Sequence, residues 1–401
     1  MTGTTIAQAI PIAISPILTR IYTPEDFGIF ALFIALVAIF GSISNGRYEL
    51  AIMLPKKDED AINIFALGFI ITSAISLVLL VLVILFNGYF TELLNNEEIS
   101  LWLYFVPIAV FFTGIWNILN YFNNRKKQYK DIAKATIIKS IVLAIVQLLV
   151  GFIKQGAIGL ISGNILSQLF ANKKLLSNII KDKLLISKIS KIKIIALAKR
   201  YKNFPKYSML AILANVSSQH LINLIISTFY GLATLGFYSL VQKLLIMPMA
   251  LIGGSISQVF FENASKEYNK KNNLKHLFIF TFKKLFIISF PLFCLLFFLV
   301  EELFAIVFGE EWRIAGVYAQ VVMPLFFIRF VVSTFTIVPI IFKNAKIDLI
   351  FQLGVLVLSL VLVIISNDLN INFINYLFYQ TLCLSIYYII YLLYIYYIFV
   401  R

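Results

Sequence analysis

Apolar runs about as long as a bilayer is thick follow one another along almost the whole chain, and this feature limits its possible folds more than any motif does. A helix needs about 20 mostly apolar residues to cross about 30 Å of hydrocarbon. Twelve runs qualify: 2–19, 28–53, 62–86, 101–122, 131–153, 157–176, 207–229, 235–257, 278–300, 316–342, 347–366 and 372–398. Their hydropathy is uniform, without the two-residue alternation of a membrane β-barrel, so helices are expected. Composition agrees: 61% of the 401 residues are hydrophobic and 13% are charged. Soluble domains are about 45–50% apolar and about 25% charged. Folded in water, this chain would expose large apolar patches. The expectation is an all-α polytopic membrane protein of about twelve transmembrane helices.

The net charge of +15 would suit a nucleic-acid binder if the cations formed one patch. They lie instead in short loops, so nucleic acid is not an expected partner. Loops after even-numbered runs hold Lys56, Lys57, Arg125, Lys126, Lys127 and Lys130. Eleven more bases lie between Lys173 and Lys206 and six between Lys266 and Lys284, followed by Lys343, Lys346 and, at the end, Arg401. The other side has Arg20, Lys154 and Arg313. The positive-inside rule then puts both termini in the cytoplasm. No basic residue precedes Arg20 and no A-x-A-like site stands out, so no cleaved signal peptide is expected. The first helix reads as short, as though a few upstream residues were missing.

Cys294 and Cys383 fall inside apolar runs and read as packing residues. No spacing suits zinc, and no metal site is expected. Asp58-Glu59-Asp60 reads as a solvated turn.

The basic stretch 173–206 divides the chain into an N-terminal six-helix lobe (1–176), a basic linker (177–206) and a C-terminal six-helix lobe (207–401). In the linker Ile186, Ile189, Ile192 and Ile195 recur at helical spacing among lysines. That pattern suits an amphipathic helix on an anionic leaflet, and equally a solvated linker. An offset of 208 residues aligns Ile21-Tyr22 with Phe229-Tyr230, Gly28 with Gly236, and Leu32 with Leu240. Gly41-Ser42-Ile43-Ser44 resembles Gly254-Ser255-Ile256-Ser257 at a slightly different offset. A parallel pseudo-repeat follows, a recurrent transporter plan with the site in a central cavity between halves.

Ionisable residues inside spans are costly and are functional candidates. Five are basic: Arg47, Lys134, Lys139, Lys243 and Arg329; Glu49 is the acid, and His220 lies mid-run. Lys134 and Lys139 are near enough to an interface to snorkel. Arg47 and Glu49, two residues apart, should point to different faces of one helix and not pair. His220 could equally be a hydrogen-bonded core residue. An excess of embedded cations needs compensation. A water-filled cavity receiving an anion supplies it, and arginine suits phosphate through paired donors. The candidate cationic set is Arg47, Lys243, Arg329, Arg20 and Lys139. Pro11 and Pro16 should interrupt the first helix, Pro248 the eighth, and Pro324 and Pro339 the tenth. Gly159 and Gly163 read as a close-packing GxxxG.

The opening stretch Ser15-Pro16-Ile17-Leu18-Thr19-Arg20-Ile21-Tyr22-Thr23-Pro24-Glu25-Asp26-Phe27-Gly28, with Gly46-Arg47-Tyr48-Glu49-Leu50-Ala51 and Pro55, resembles bacterial polysaccharide flippases. These are the O-antigen and capsule translocases of the multidrug/oligosaccharidyl-lipid/polysaccharide exporter superfamily. The strongest motifs cover the first 60 residues. The resemblance implies two six-helix lobes around a central cavity lined by helices one, two, seven and eight. On those helices stand Arg20, Arg47, His220 and Lys243; Arg329 lies away from them. The implied substrate is an oligosaccharide repeat on undecaprenyl pyrophosphate, turned from the cytoplasmic to the outer face of the inner membrane. No cofactor is implied beyond a proton or sodium gradient, for which Glu49 and His220 are the coupling candidates. Implied partners are membrane lipids, a polysaccharide polymerase and chain-length machinery. The short N-terminus departs from the family pattern.

Two other classes stay open. An exporter of the same fold could carry another anionic or lipid-linked substrate or drugs, although a cation exporter would favour acids in its cavity. A membrane-embedded assembly enzyme would need a sizeable outer loop or an interfacial His/Asp pair, which the sequence lacks, so no catalytic residue is expected.

Overall fold

The computed structural model describes residues 2–154, 156–248, 253–271, 274–342 and 344–400. Lys343, Arg401 and residues 249–252 of the eighth run lie outside them, as do the side chains at positions 254 and 255. Among the described residues nineteen α-helices follow in order: α1 Thr2–Ala13, α2 Ser15–Ile21, α3 Pro24–Ile43, α4 Tyr48–Ala51, α5 Asp58–Leu93, α6 Ser100–Leu103, α7 Val106–Arg125, α8 Tyr129–Ile153, α9 Ile158–Ile180, α10 Lys183–Ile186, α11 Lys191–Arg200, α12 Met209–Tyr230, α13 Leu232–Pro248, α14 Gly254–Lys271, α15 Lys275–Phe308, α16 Arg313–Ser333, α17 Val338–Ile341, α18 Ala345–Asp368 and α19 Phe373–Ile395. No strand occurs among the described residues.

Each expected run contains a helix. Nine are long and apolar enough to cross a membrane, and Ala7–Ile21 and Leu232–Ile246 form two shorter apolar helices, counted over the described residues. α9 carries Asn164, Gln168, Asn172, Lys173 and Lys174 and is more polar than its neighbours. α5 spans 36 residues and kinks at Phe86, whose φ of −123° and ψ of 19° are not helical. It exposes Leu77, Val78, Ile84 and Leu85, side chains that hydrocarbon accepts and water does not.

The chain forms two compact units, Met1–Gly236 and Phe237–Arg401. In the first, α3 packs against α7 and α12, α5 against α7, and α1 and α9 against α8. Ile62, Ile64, Ile118, Leu119 and Leu175 fill its core. In the second, α16 packs against α15 and α19, and α18 against α19. Aromatic rings dominate that core: Phe351 stacks on Tyr391 with centroids 3.7 Å apart, and Phe335 meets Phe278 at 4.2 Å. Edge-on contacts, such as Phe351 with Tyr388 at 5.0 Å and Phe260 with Phe335 at 5.2 Å, add to simple area burial.

The Thr23-Pro24-Glu25-Asp26 motif is a helix start. The Thr23 hydroxyl accepts from the Asp26 amide, the Asp26 carboxylate accepts from the Thr23 amide, and Pro24 opens the first turn. Both bonds satisfy amides that a helix N-terminus leaves free. Tyr22 is buried, and its hydroxyl donates to the Gln147 carbonyl at 2.6 Å. Gly151 and Gly159 leave room for its ring, and Gly163 lies against Gln147 of α8. The GxxxG therefore packs α9 onto α8, as expected.

Breaks fall near the prolines only in part. α1 carries Pro11 internally and ends at Ala13; only Ile14, itself in right-handed helical geometry, separates it from α2, and Pro16 sits in the first turn of α2. α13 ends at Pro248. Pro324 lies within a continuous α16, whereas Pro339 follows the 334–337 interruption. The linker is not one continuous helix from Ile186 to Ile195. α10 ends at Ile186 and α11 starts after Ser190, whose amide donates to the Asn63 carboxamide oxygen at 2.8 Å.

Candidate functional site

The second apolar run does not continue as one helix. α3 ends at Ile43; Gly46 has φ 58° and Arg47 φ 63° before α4 begins at Tyr48. Left-handed φ values are easy for glycine and unusual for arginine. This reversal overturns the expectation that Arg47 and Glu49 point apart. Arg47 Nη1 lies 3.0 Å from Glu49 Oε1. The helical-face argument fails because the two residues are not on one continuous helix. The Asn45-Gly46 dipeptide is the available sequence signal, since Asn-Gly marks turns even inside an apolar run.

The pair is only half satisfied. Glu49 is 3% exposed. Among the described residues, Glu49 Oε2 and Arg47 Nε are buried without a hydrogen-bond partner. Unused acceptor and donor capacity in a buried ion pair is costly, because desolvation is offset only when the remaining positions are bonded. The pair can therefore take up a further polar group or a proton.

The surrounding chain holds the break in place. Asn45 Nδ2 donates to Thr72 Oγ1 of α5 at 2.6 Å and to the Gly114 carbonyl of α7 at 3.1 Å. Adjoining Thr72, the Gly114 position leaves no space for a side chain. On the far side, Arg125 Nη1 donates to the carbonyls of Ile52 at 3.1 Å and Pro55 at 2.8 Å, and its Nε donates to Asp58 at 2.9 Å. The planar fork of arginine suits this three-way grip. Tyr48, between the two charges, donates its hydroxyl to the Ala198 carbonyl of α11 at 3.0 Å. Sequence reasoning places Arg125 among solvated loop bases and gives Asn45, Tyr48 and Thr72 no role.

The other candidates of the first unit are not gathered at this pair. Lys139 on α8 holds its ammonium 5.3 Å from the Trp116 ring of α7, a cation–π distance. Arg20, exposed in the last turn of α2, donates to the Pro16 carbonyl of the same helix at 2.7 Å. His220 is half-buried on α12, and its Nδ1 and the nearby Asn223 Oδ1 are buried without hydrogen-bond partners among the described residues. In the second unit Lys243 is exposed on α13. Arg329 is half-buried on α16, its guanidinium 5.2 Å from the Phe326 ring and 5.9 Å from the Tyr388 ring. Aromatic faces compensate Arg329 without an anion, which favours a packing role there. No group of three or more His, Cys, Asp or Glu suited to a metal occurs among the described residues.

A family described as polysaccharide biosynthesis protein matches residues 17–316. The fold is that of solved membrane transporters. The lipid II flippase MurJ in an inward closed conformation aligns with a TM-score of 0.70 at 18% identity, covering 99% of this chain and 86% of that one. An inward-facing multidrug resistance MATE family transporter of the MOP superfamily aligns with a TM-score of 0.66 at 12% identity, covering 98% and 94%. A MOP superfamily transporter from Pyrococcus furiosus, described as having a binding pocket of reverse polarity, aligns with a TM-score of 0.54 at 13% identity, covering 98% and 93%. No curated protein matches the sequence.

Proposed function

Because the chain belongs to the polysaccharide biosynthesis protein family, we propose that it is a flippase that moves undecaprenyl-pyrophosphate-linked oligosaccharide repeats from the cytoplasmic to the outer face of the inner membrane. The observation that carries this reading is the Arg47–Glu49 pair, an embedded cation with an unused buried donor at a break in its helix. A pyrophosphate offers acceptor oxygens for such a donor, and arginine binds them in pairs. Lys243 and Arg20 are the further cations assigned to the substrate path; Lys139 and Arg329 are weaker members, because each already faces an aromatic ring. Glu49 and His220 are the residues assigned to coupling with a proton or sodium gradient. Arrival of the anion would compete with Glu49 for Arg47, and the released carboxylate could take up a cation. That exchange links binding to a change of state, as alternating access requires.

The test is deletion of the gene in its native host, with lipid-linked oligosaccharide and surface polysaccharide quantified side by side. Intact precursor retained inside and lost surface glycan, restored by the wild-type gene, is the expected result. Normal surface glycan without trapped precursor, in a strain lacking any second flippase, would overturn the reading and favour an exporter of another substrate on the same fold.

A further inference from the structure

The basic stretch after α9 has an outward apolar face for which the transport reading has no use. α11 presents two opposite sides. Ile194, Leu197 and Ala198 turn inward onto the core around α5. At 100° per residue, Ile192 falls on the opposite side and Ile195 at its edge. They are 80% and 47% exposed, and the exposed Lys191 and Lys199 flank them. Upstream, Leu184 of α10 is 83% exposed.

Rotation cannot hide these side chains. Lys193 on α11 is ion-paired with Glu59 on α5, and the Ala198 carbonyl holds the Tyr48 hydroxyl. Asn63 fixes the start of the helix through the Lys188 carbonyl and the Ser190 amide. The outward direction of Ile192 and Ile195 is thus set by three attachments on the opposite side. Charge identifies what meets this face. Between Lys181 and Lys202 there are eight basic residues and one acid, Asp182.

We propose that α10 and α11 form a surface contact for anionic lipid, with Leu184, Ile192 and Ile195 entering the headgroup–acyl boundary and the flanking lysines meeting lipid phosphates. Apolar side chains beside lysines are the pattern of an interfacial helix, and each lysine near an anionic surface adds attraction. The contact requires only that the chain spans a membrane and is independent of the cargo. Because Tyr48 lies between Arg47 and Glu49, the same contact would brace the segment bearing the ion pair.

The test uses the full chain carrying Cys294→Ala, Cys383→Ala and Ile192→Cys, labelled at the introduced thiol with an environment-sensitive fluorophore. It is reconstituted in vesicles of phosphatidylcholine alone or of phosphatidylcholine with phosphatidylglycerol. The expected result is blue-shifted emission, quenched by brominated acyl chains, in the anionic vesicles. Lys191→Glu with Lys199→Glu should reverse that shift several-fold, and both sites are exposed, so folding checked by circular dichroism should persist. Water-like emission in both vesicle types, quenched by iodide, would overturn the proposal. So would a shift indifferent to lipid charge and to the charge reversals. A blue shift that vanishes on dilution in detergent would assign the face to a second protein chain instead.

Discussion

Gly28 and Gly236, the two glycines equated by the 208-residue offset, pack reciprocally. A Cβ on Gly28 would overlap the Leu232 carbonyl, and one on Gly236 would overlap the Pro24 carbonyl. Pro24 and Leu232 are themselves equivalent under that offset. The starts of α3 and α13 thus cross where neither can carry a side chain. The crossing is backbone against backbone, so no rotamer change relieves an added methyl.

Alanine at either position should therefore destabilise, by about 1–3 kcal/mol for an overpacked site without room to relax. Gly88, on α5 with nothing within 4 Å of its would-be Cβ, is the control: Gly88→Ala should be neutral or slightly stabilising. Thermal unfolding of the purified protein in detergent reads both. Equal Tm values for Gly28→Ala and Gly88→Ala would contradict the crossing.

The Arg47–Glu49 pair predicts a non-additive cycle. Arg47→Gly relieves a left-handed backbone but leaves a buried carboxylate unpaired, and should cost about 1–3 kcal/mol. Glu49→Gln alone leaves Arg47, which is partly exposed, with a smaller loss. The double variant should be more stable than Arg47→Gly while still failing to restore surface glycan. Unfolding midpoints with complementation separate the two effects. Additive stabilities would show that the ion pair is not a coupled unit.

Arg125 grips the chain after the break at two carbonyls and one carboxylate. Arg125→Lys keeps the charge but cannot supply three directed donors. Hydrogen exchange over residues 52–58 should accelerate in Arg125→Lys nearly as much as in Arg125→Ala. Wild-type protection in the lysine variant would mean that charge alone holds the segment.

Among the embedded cations, Arg329 already has two aromatic faces. Arg329→Lys should lower stability modestly, by about 0.5–2 kcal/mol, and leave precursor transfer near wild type. Lys243→Ala, on an exposed residue, should do the reverse. Surface glycan measured at matched protein levels decides it, and loss of glycan in Arg329→Lys would return that residue to the substrate path.

The helical membrane architecture is legible in the amino-acid order without any fold. Hydrocarbon can accept these apolar runs only as helices with satisfied backbones, and that requirement is local to each run. The paired glycine turns, the GxxxG contact of Gly159 and Gly163, and the embedded charges are legible too, because residue type and spacing suffice for those. Which charges meet is settled by the folded chain. Arg47 reaches Glu49 because two left-handed residues interrupt the helix, and that interruption is held by partners distant in sequence: Thr72 and Gly114 through Asn45, and Arg125 beyond it. Likewise, Ile194 and Leu197 turn inward and Ile192 outward because Glu59 and Tyr48 fix the rotation of α11. Periodicity shows that a helix has two faces; only the contacts of its neighbours decide which face is buried.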